Sequence, residues 1–435
     1  MTSLGSPGRR SARFVRGIQQ FLPPQVGLVI MVGAIAFVSS MIFSMVGSLA
    51  PMFQHDLGIP SQAIGTIMGA YMLSSAASGF LGTLYLDRFD RRKGMMVTLA
   101  GVVFGLILTA FATDYRMLIA ARILSGVFAG PSNALAIATL VDNVPSGSRG
   151  RALGIVAMFQ ALAQILGIPA GLWIAQETGS WRDPFFAMAA VAAVLAGAVL
   201  YNLKPQRAHL ENATALAIHR RLKFMGELLS RPICLTAFAV QMTGIVPLVA
   251  ITTIMSVFLV NNLGYPASEL STLYLVGGAA NVLGAFLLGR AIDAGPVTVS
   301  TVSTVLLMAA IVMGYMGMNP GLPLVLIFSI FFITSSARLV VGQTLSMKIP
   351  RPEERAGFQS LSSSIQSSSM GLSALAIPVL LGSTPDGRLT GINPFATVVI
   401  AVSWLFPFLV YALGQMLARR EGQAALEAAV PAPAE

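Results

Sequence analysis

The sequence predicts an all-α membrane protein of twelve transmembrane helices arranged as two pseudo-symmetric halves of six. Three observations carry that expectation. Of the 435 residues, 55% are hydrophobic and only 10% are charged, whereas a soluble domain carries about 25% charged residues. Apolar runs of about 20 residues, the length that crosses a hydrocarbon core of about 30 Å, recur along the chain. The longest polar connection, residues 204–232, divides those runs six and six. A β-barrel would show alternating segments of about ten residues, and these runs do not alternate.

In order, the runs are 26–49, 61–84, 95–113, 117–140, 152–175, 184–203, 233–260, 268–289, 297–317, 322–346, 357–382 and 394–417. The segment 1–25, with "RRSARFVRGIQQ", is basic and precedes a run too long for a signal-peptide core. No small-residue cleavage site separates that run from the next, so it reads as an uncleaved first helix. With both termini in the cytoplasm, the inner segments hold 22 of the 27 Lys and Arg residues. The outer loops hold only Arg116, Arg182 and Arg388, while Arg122 and Arg338 lie within spans. That asymmetry sets the expected orientation in a bacterial inner membrane. It also accounts for the net charge of +10 through an anionic leaflet instead of a nucleic acid. The expected organisation is an N-terminal bundle 26–203, a cytoplasmic linker 204–232, a C-terminal bundle 233–417 and a tail 418–435. The tail has no apolar face and is expected to be disordered. The sequon at Asn212 falls on the cytoplasmic side, where it goes unused.

The halves resemble one another. A shift of 206 positions matches Leu57, Gly58, Pro60, Thr66, Phe80, Leu81 and Asp87 to Leu263, Gly264, Pro266, Thr272, Phe286, Leu287 and Asp293. Both segments run from an outer loop through an even-numbered span to an inner aspartate. Duplicated six-helix halves suggest a transporter whose binding site lies between them.

Six of the nine residues in "LDRFDRRKG", 86–94, are charged. Together with "TLYLDRFDRR", this loop resembles the motif Gly-x-x-x-Asp-Arg-x-Gly-Arg-Arg/Lys of the major facilitator superfamily, in a branch like the drug and sugar exporters. Asp87, Arg88, Arg91 and Arg92 match, while Thr83 and Asp90 replace the two glycines. "GRAID" in the second half keeps Gly289 and Asp293 without the arginines. The resemblance implies a conformational latch in which Asp87 and Arg91 meet Asp142 and the start of the eleventh helix near Gly357. Solvated anchoring alone would also explain the arginines. "RILSGVFAG" resembles the fourth-helix motif at Arg122, Gly126 and Gly130, with Ser125 where Gln is common. "VDNVPSGSRGRALG" and "GSWRDPFF" resemble the family's connections into helices five and six. "GIPAGLW" keeps Gly167, Pro169 and Gly171 of an antiporter motif, but a proline-bent, glycine-lined helix explains them as well.

No span interior contains Asp, Glu or His, the usual proton carriers of transporters. Two buried arginines favour an organic anion or a neutral polar solute, and Arg122 and Arg338 are candidates to contact it or couple its transport. The amides of Asn133, Gln160, Gln164, Gln241, Asn281 and Gln366 are further candidates, and helix-to-helix bonding is their alternative. Proton coupling could run through Asp87 and Asp142 or on the solute. The one cysteine, Cys234, reads as a packing residue, since one thiol forms neither an internal disulfide nor a zinc cluster. No metal or other cofactor, no nucleic acid and no catalytic motif is expected. The chain is expected to be a monomeric, alternating-access exporter of a small organic solute. Uptake or exchange of an organic anion is the rival, and a non-transporting sensor is the rival of another class.

Overall fold

The computed structural model describes residues 26–85, 89–145, 148–203, 218–319, 321–351 and 354–429. Six long helices form the first half: α1 Val26–Ser48, α2 Ile64–Tyr85, α3 Arg91–Ala110, α4 Tyr115–Asn143, α5 Arg149–Thr178 and α6 Asp183–Asn202. Six more form the second: α7 Pro232–Asn262, α8 Leu270–Ala294, α9 Pro296–Tyr315, α10 Leu324–Ser346, α11 Arg355–Leu380 and α12 Ile392–Ala429. Among the described residues, ten of these helices are long and apolar enough to cross a membrane. α11 falls short of that measure because serines dilute it, and α8, whose side chains are described only through residue 285, is not among the ten. We call the end bearing the α1–α2 and α11–α12 connections the outer end, and the opposite one the inner end.

Local chemistry fixes the boundaries. Asp90 caps α3, its carboxylate accepting from the backbone N–H of Arg92 at 2.9 Å and of Lys93 at 3.4 Å. The helix therefore starts at Arg91, four residues before the apolar run. Asp114 does the same for α4, accepting from Met117 N–H at 2.9 Å. Pro184, Pro232 and Pro296 open α6, α7 and α9, where a missing N–H leaves no bond unmade.

The internal repeat is visible in the backbone. Gly58 and Gly264 both take positive φ, 61° and 66°, a conformation that suits glycine. Each is followed by a proline and one 3-10 turn, Ser61–Ala63 or Ala267–Glu269, leading into α2 or α8. Corresponding positions keep the same spacing as the sequence match.

Buried apolar side chains form three clusters. One fills the outer part and takes residues from both halves, among them Ile42, Phe53, Ile67 and Trp181 with Ile251, Met255, Phe331 and Ile377. The other two lie at the inner end, one in each half. Val32, Leu99, Leu140 and Val156 belong to the first, and Phe238, Leu345, Phe358 and Val410 to the second. Phe80 of α2 packs, partly buried, against the second. Cys234 is buried in that same cluster.

Within the first half, Gly126 and Gly130 bring α4 onto α2: a Cβ on either would overlap α2 backbone oxygens, of Tyr71 and Ser75 respectively. Gly167 and Gly171 face the thioethers of Met41 and Met45 on α1. Pro169 follows a π turn, Ala163–Gly167, which absorbs its missing donor within α5.

Three elements differ from the sequence expectation. α12 continues through Ala429, so residues 418–429 of the expected disordered tail are helical; Ala, Leu, Glu and Gln there are strong helix formers. The linker contains an amphipathic helix, Ile218–Ser230, whose Leu228 is fully buried in the second inner cluster. A two-stranded hairpin, Gly382–Ser383 with Leu389–Thr390, lies between α11 and α12.

Gly130→Ala should lower the melting temperature, because overpacking costs about 1–3 kcal/mol. Gly154→Ala, where a Cβ would meet nothing within 4 Å, should hold or raise it; thermal unfolding in one detergent compares the two.

Candidate functional site

The two halves are sealed at the outer end. Gly65 of α2 lies against the carbonyl oxygen of Ala374 on α11, where a Cβ would overlap it. Pro378 has no N–H to give that carbonyl, so the close glycine Cα–H is its neighbour instead. Gly371 of α11 faces Leu73 of α2 at the same seam. Above it, Ser61 Oγ donates to Gly387 O of the hairpin loop. Asn261 Nδ2 donates to Gln54 Oε1 at 2.8 Å and to Gly387 O at 2.9 Å. Asn262 holds Leu389 in both directions, at 2.8 and 2.9 Å. On the other flank, Gln176 Nε2 of α5 donates to Ala267 O before α8 at 2.8 Å. α8 packs on the outer part of α5, from Ala163 to Thr178, and among the described residues hardly on its inner part.

Both arginines within the spans are fully buried inside their own halves. Arg122 Nη2 donates to Ile42 O of α1 at 2.9 Å, and its guanidinium lies 4.4 Å from the Tyr71 ring centre. Arg338 Nη2 donates to Thr243 O of α7 at 2.7 Å, with Phe406 of α12 at 4.5 Å. The aromatic faces offset part of the cost of a desolvated cation. In each arginine, Nε and Nη1 have no hydrogen-bond partner among the described residues. The Thr243 contact has a clear cause. Pro247 sits four residues on and cannot donate to that carbonyl, so the guanidinium fills the place of the missing helix bond.

At the inner end, Arg91 Nε meets Asp142 Oδ2 at 3.4 Å, with the arginine side chain 9% exposed. Arg92 Nη2 donates to Leu200 O, one of the last carbonyls of α6, where a cation suits the helix dipole. Asp87 and Arg88 lie outside the described residues, and so does the side chain of Asp293 near the end of α8, beyond Gly289. Gly357 lies against the ring of Phe224 from the linker helix. Arg231 Nη1 donates to Glu354 Oε1 at 2.8 Å, tying the start of α7 to the start of α11. Burial would raise the Glu354 carboxyl. The bonds from Arg231 and from the Arg351 N–H outweigh it and hold the group below the usual carboxylate range.

Two of the expected amides come together. A cleft of about 110 Å³ between α7, α10 and α11 is lined by Gln241, Gln343, Ser346, Gln359, Ser362 and Gln366. Gln164 instead ties α5 to α1, its Nε2 donating to Ser44 Oγ at 3.0 Å. Asn133 and Asn281 are half-buried and Gln160 exposed, and none of the three lines the cleft. The outer seam was missed by sequence reasoning, since nothing in a lone Asn261 or Gln54 marks a partner some 200 residues away. The linked proline and arginine could have been found: Pro247 in a long apolar run announces an unpaired carbonyl.

This architecture defines a membrane transporter, not an enzyme. The model of the Major Facilitator Superfamily matches residues 32–374, and the chain belongs to that family. It is 29% identical over 161 residues to the inner membrane transport protein YdhP of Escherichia coli K12, covering 37% of this chain and 41% of that one. The match to YdhP thus spans about two fifths of its length. A chloramphenicol resistance protein of Streptomyces lividans is 24% identical over 370 residues, 84% of this chain and 91% of that one. In fold, the chain is similar to a bacterial homologue of the human lysosomal transporter Spinster in an inward-facing, unoccupied conformation. The TM-score is 0.69 at 15% identity, over 90% of this chain and 97% of that one.

Arg338→Ala should destabilise the protein by leaving the Thr243 carbonyl unpaired, at about 1–3 kcal/mol. In a Pro247→Ala background the restored N–H supplies the bond, so the same change should cost much less. A double-mutant cycle on thermal unfolding checks this, and additive effects would contradict the assignment.

Proposed function

We propose that the chain exports a small organic solute across the cytoplasmic membrane by alternating access, with both termini in the cytoplasm and the outer end closed in the state described here. One observation carries the reading: a single apolar core takes buried residues from both halves at the outer end, whereas at the inner end the buried residues form a distinct core in each half, with Phe80 of α2 at the edge of the second. Such a state receives solute from the cytoplasm. The name of the Streptomyces lividans relative, which speaks of drug resistance, supports the outward direction, and it makes chloramphenicol the first compound to assay. The inner pairs Arg91–Asp142 and Arg231–Glu354, each formed within one half in this state, support a switch in which they break as the inner end closes. Asp87, Arg88 and Asp293 belong with them as latch residues on the strength of the loop motif. The span interiors carry no acid or histidine, so proton coupling, where present, runs through the inner acids or the solute.

The organic-anion reading loses support from the geometry. Arg122 donates to Ile42 O and Arg338 to Thr243 O, backbone carbonyls inside their own halves.

Everted membrane vesicles should accumulate the transported compound, and right-side-out vesicles should not. Accumulation in right-side-out vesicles alone would establish uptake, and saturable binding with no flux in either would establish a sensor.

A further inference from the structure

The cleft between α7, α10 and α11 has a chemical character that none of its residues has alone. Gln343 and Ser346 lie in the last turn of α10, and Gln359 lies in the first turns of α11. Gln241 and Gln366 lie deeper, each about 15 Å along its helix from the inner end by helix rise. The cleft thus runs from the inner mouth towards the middle of the second half. Among the described residues, no Asp, Glu, Lys, Arg or His lines it. Its donors and acceptors are carboxamides and hydroxyls, groups that both give and accept hydrogen bonds.

Several of those groups are uncommitted. Ser346 Oγ is buried, with the residue 3% exposed, and has no hydrogen-bond partner among the described residues. Ser362 Oγ donates to Gln241 Oε1, which fixes that amide and leaves its N–H₂ as the free edge. Phe358 and Met347 supply the apolar wall, and Met347 is 65% exposed at the mouth. A volume of about 110 Å³ holds roughly four waters at about 30 Å³ each. It therefore admits one polar end of a solute and not the whole of a large one.

We propose that this cleft is the cytoplasm-facing recognition subsite and that it takes an uncharged solute bearing adjacent hydroxyl groups beside an apolar face. The assignment rests on the reading of the chain as a transporter open at its inner end. A charged ligand would lose its hydration without meeting a counter-charge, a cost of several kcal/mol. A polyhydroxylated edge meets partners that match its own mixed donor and acceptor character, while Phe358 and Met347 cover an aromatic or alkyl substituent.

The test uses the full chain in lipid nanodiscs and two probes of nearly equal shape, 4-nitrophenyl glucoside and 4-nitrophenyl glucuronide, which differ by a carboxylate. Calorimetric titration should show the glucoside binding at least about tenfold tighter than the glucuronide. Gln366→Leu, on the partly exposed wall, should weaken the glucoside by about tenfold, the cost of one unpaired hydrogen bond, without lowering the melting temperature. Gln366→Glu should weaken it too. Equal or tighter binding of the glucuronide, binding of neither probe, or a Gln366→Leu variant with unchanged affinity would overturn the assignment. Binding with this selectivity but no flux in vesicles would leave the subsite standing and remove the transport reading.

Discussion

In a bilayer there is no hydrophobic drive to press one apolar helix against another, because lipid tails are as apolar as leucine. What joins the halves must therefore be close packing and hydrogen bonding, and here both are concentrated at the outer end. α2 meets α11 where Gly65, Gly69 and Gly371 remove side chains from the contact. The hairpin between α11 and α12 accepts neutral bonds from Ser61 and Asn261 at Gly387 O, and Asn261 also donates to Gln54 across the seam. Bonds between membrane helices average about 0.6 kcal/mol each. A seam of such bonds is strong enough to define one state and weak enough to open, which a transporter requires.

Proline sets the second constraint. Backbone carbonyls at membrane depth must be satisfied by protein, and prolines in α7 and α11 each free one. Arg338 takes the Thr243 carbonyl inside the second half, while Gly65 lies against the Ala374 carbonyl across the seam. The same chemistry thus fills a gap within one half in one place and lies at the contact between the halves in the other. Arg338, which from charge alone invites an anionic solute, completes a helix bond that Pro247 leaves open, and Arg122 is held by the Ile42 carbonyl and the Tyr71 ring. The uncharged amide cleft then becomes the more informative clue to what is carried.

Much of the fold was legible because the bilayer imposes a length rule and a charge rule. Helix order, the six-and-six division and the repeat all follow from run length and from matched positions such as Gly58 and Gly264. Boundaries failed where a cap outweighed hydropathy, as at Asp90, or where helix propensity carried a polar tail onward to Ala429. The candidate site was less legible. Gln241 and Gln366 stand out as amides in apolar runs, but Gln343, Ser346 and Gln359 sit near helix ends, where polar residues are expected anyway. Their convergence depends on how α10 and α11 pack, which no single run encodes. The packing glycines Gly126 and Gly130 carried a readable spacing, whereas the seam formed by Asn261 did not.

The central claim is that the halves are joined at the outer end and parted at the inner end on the α5–α8 flank. Pulsed spin-label distance measurement in lipid nanodiscs tests it directly, with one pair at Gln176 and Ala267 and a second at Gly154 and Leu283. A short, narrow distance is expected for the first pair and a longer, broader one for the second in the unliganded protein. Equal, narrow distances for both pairs, or a longer distance at the outer pair, would contradict it.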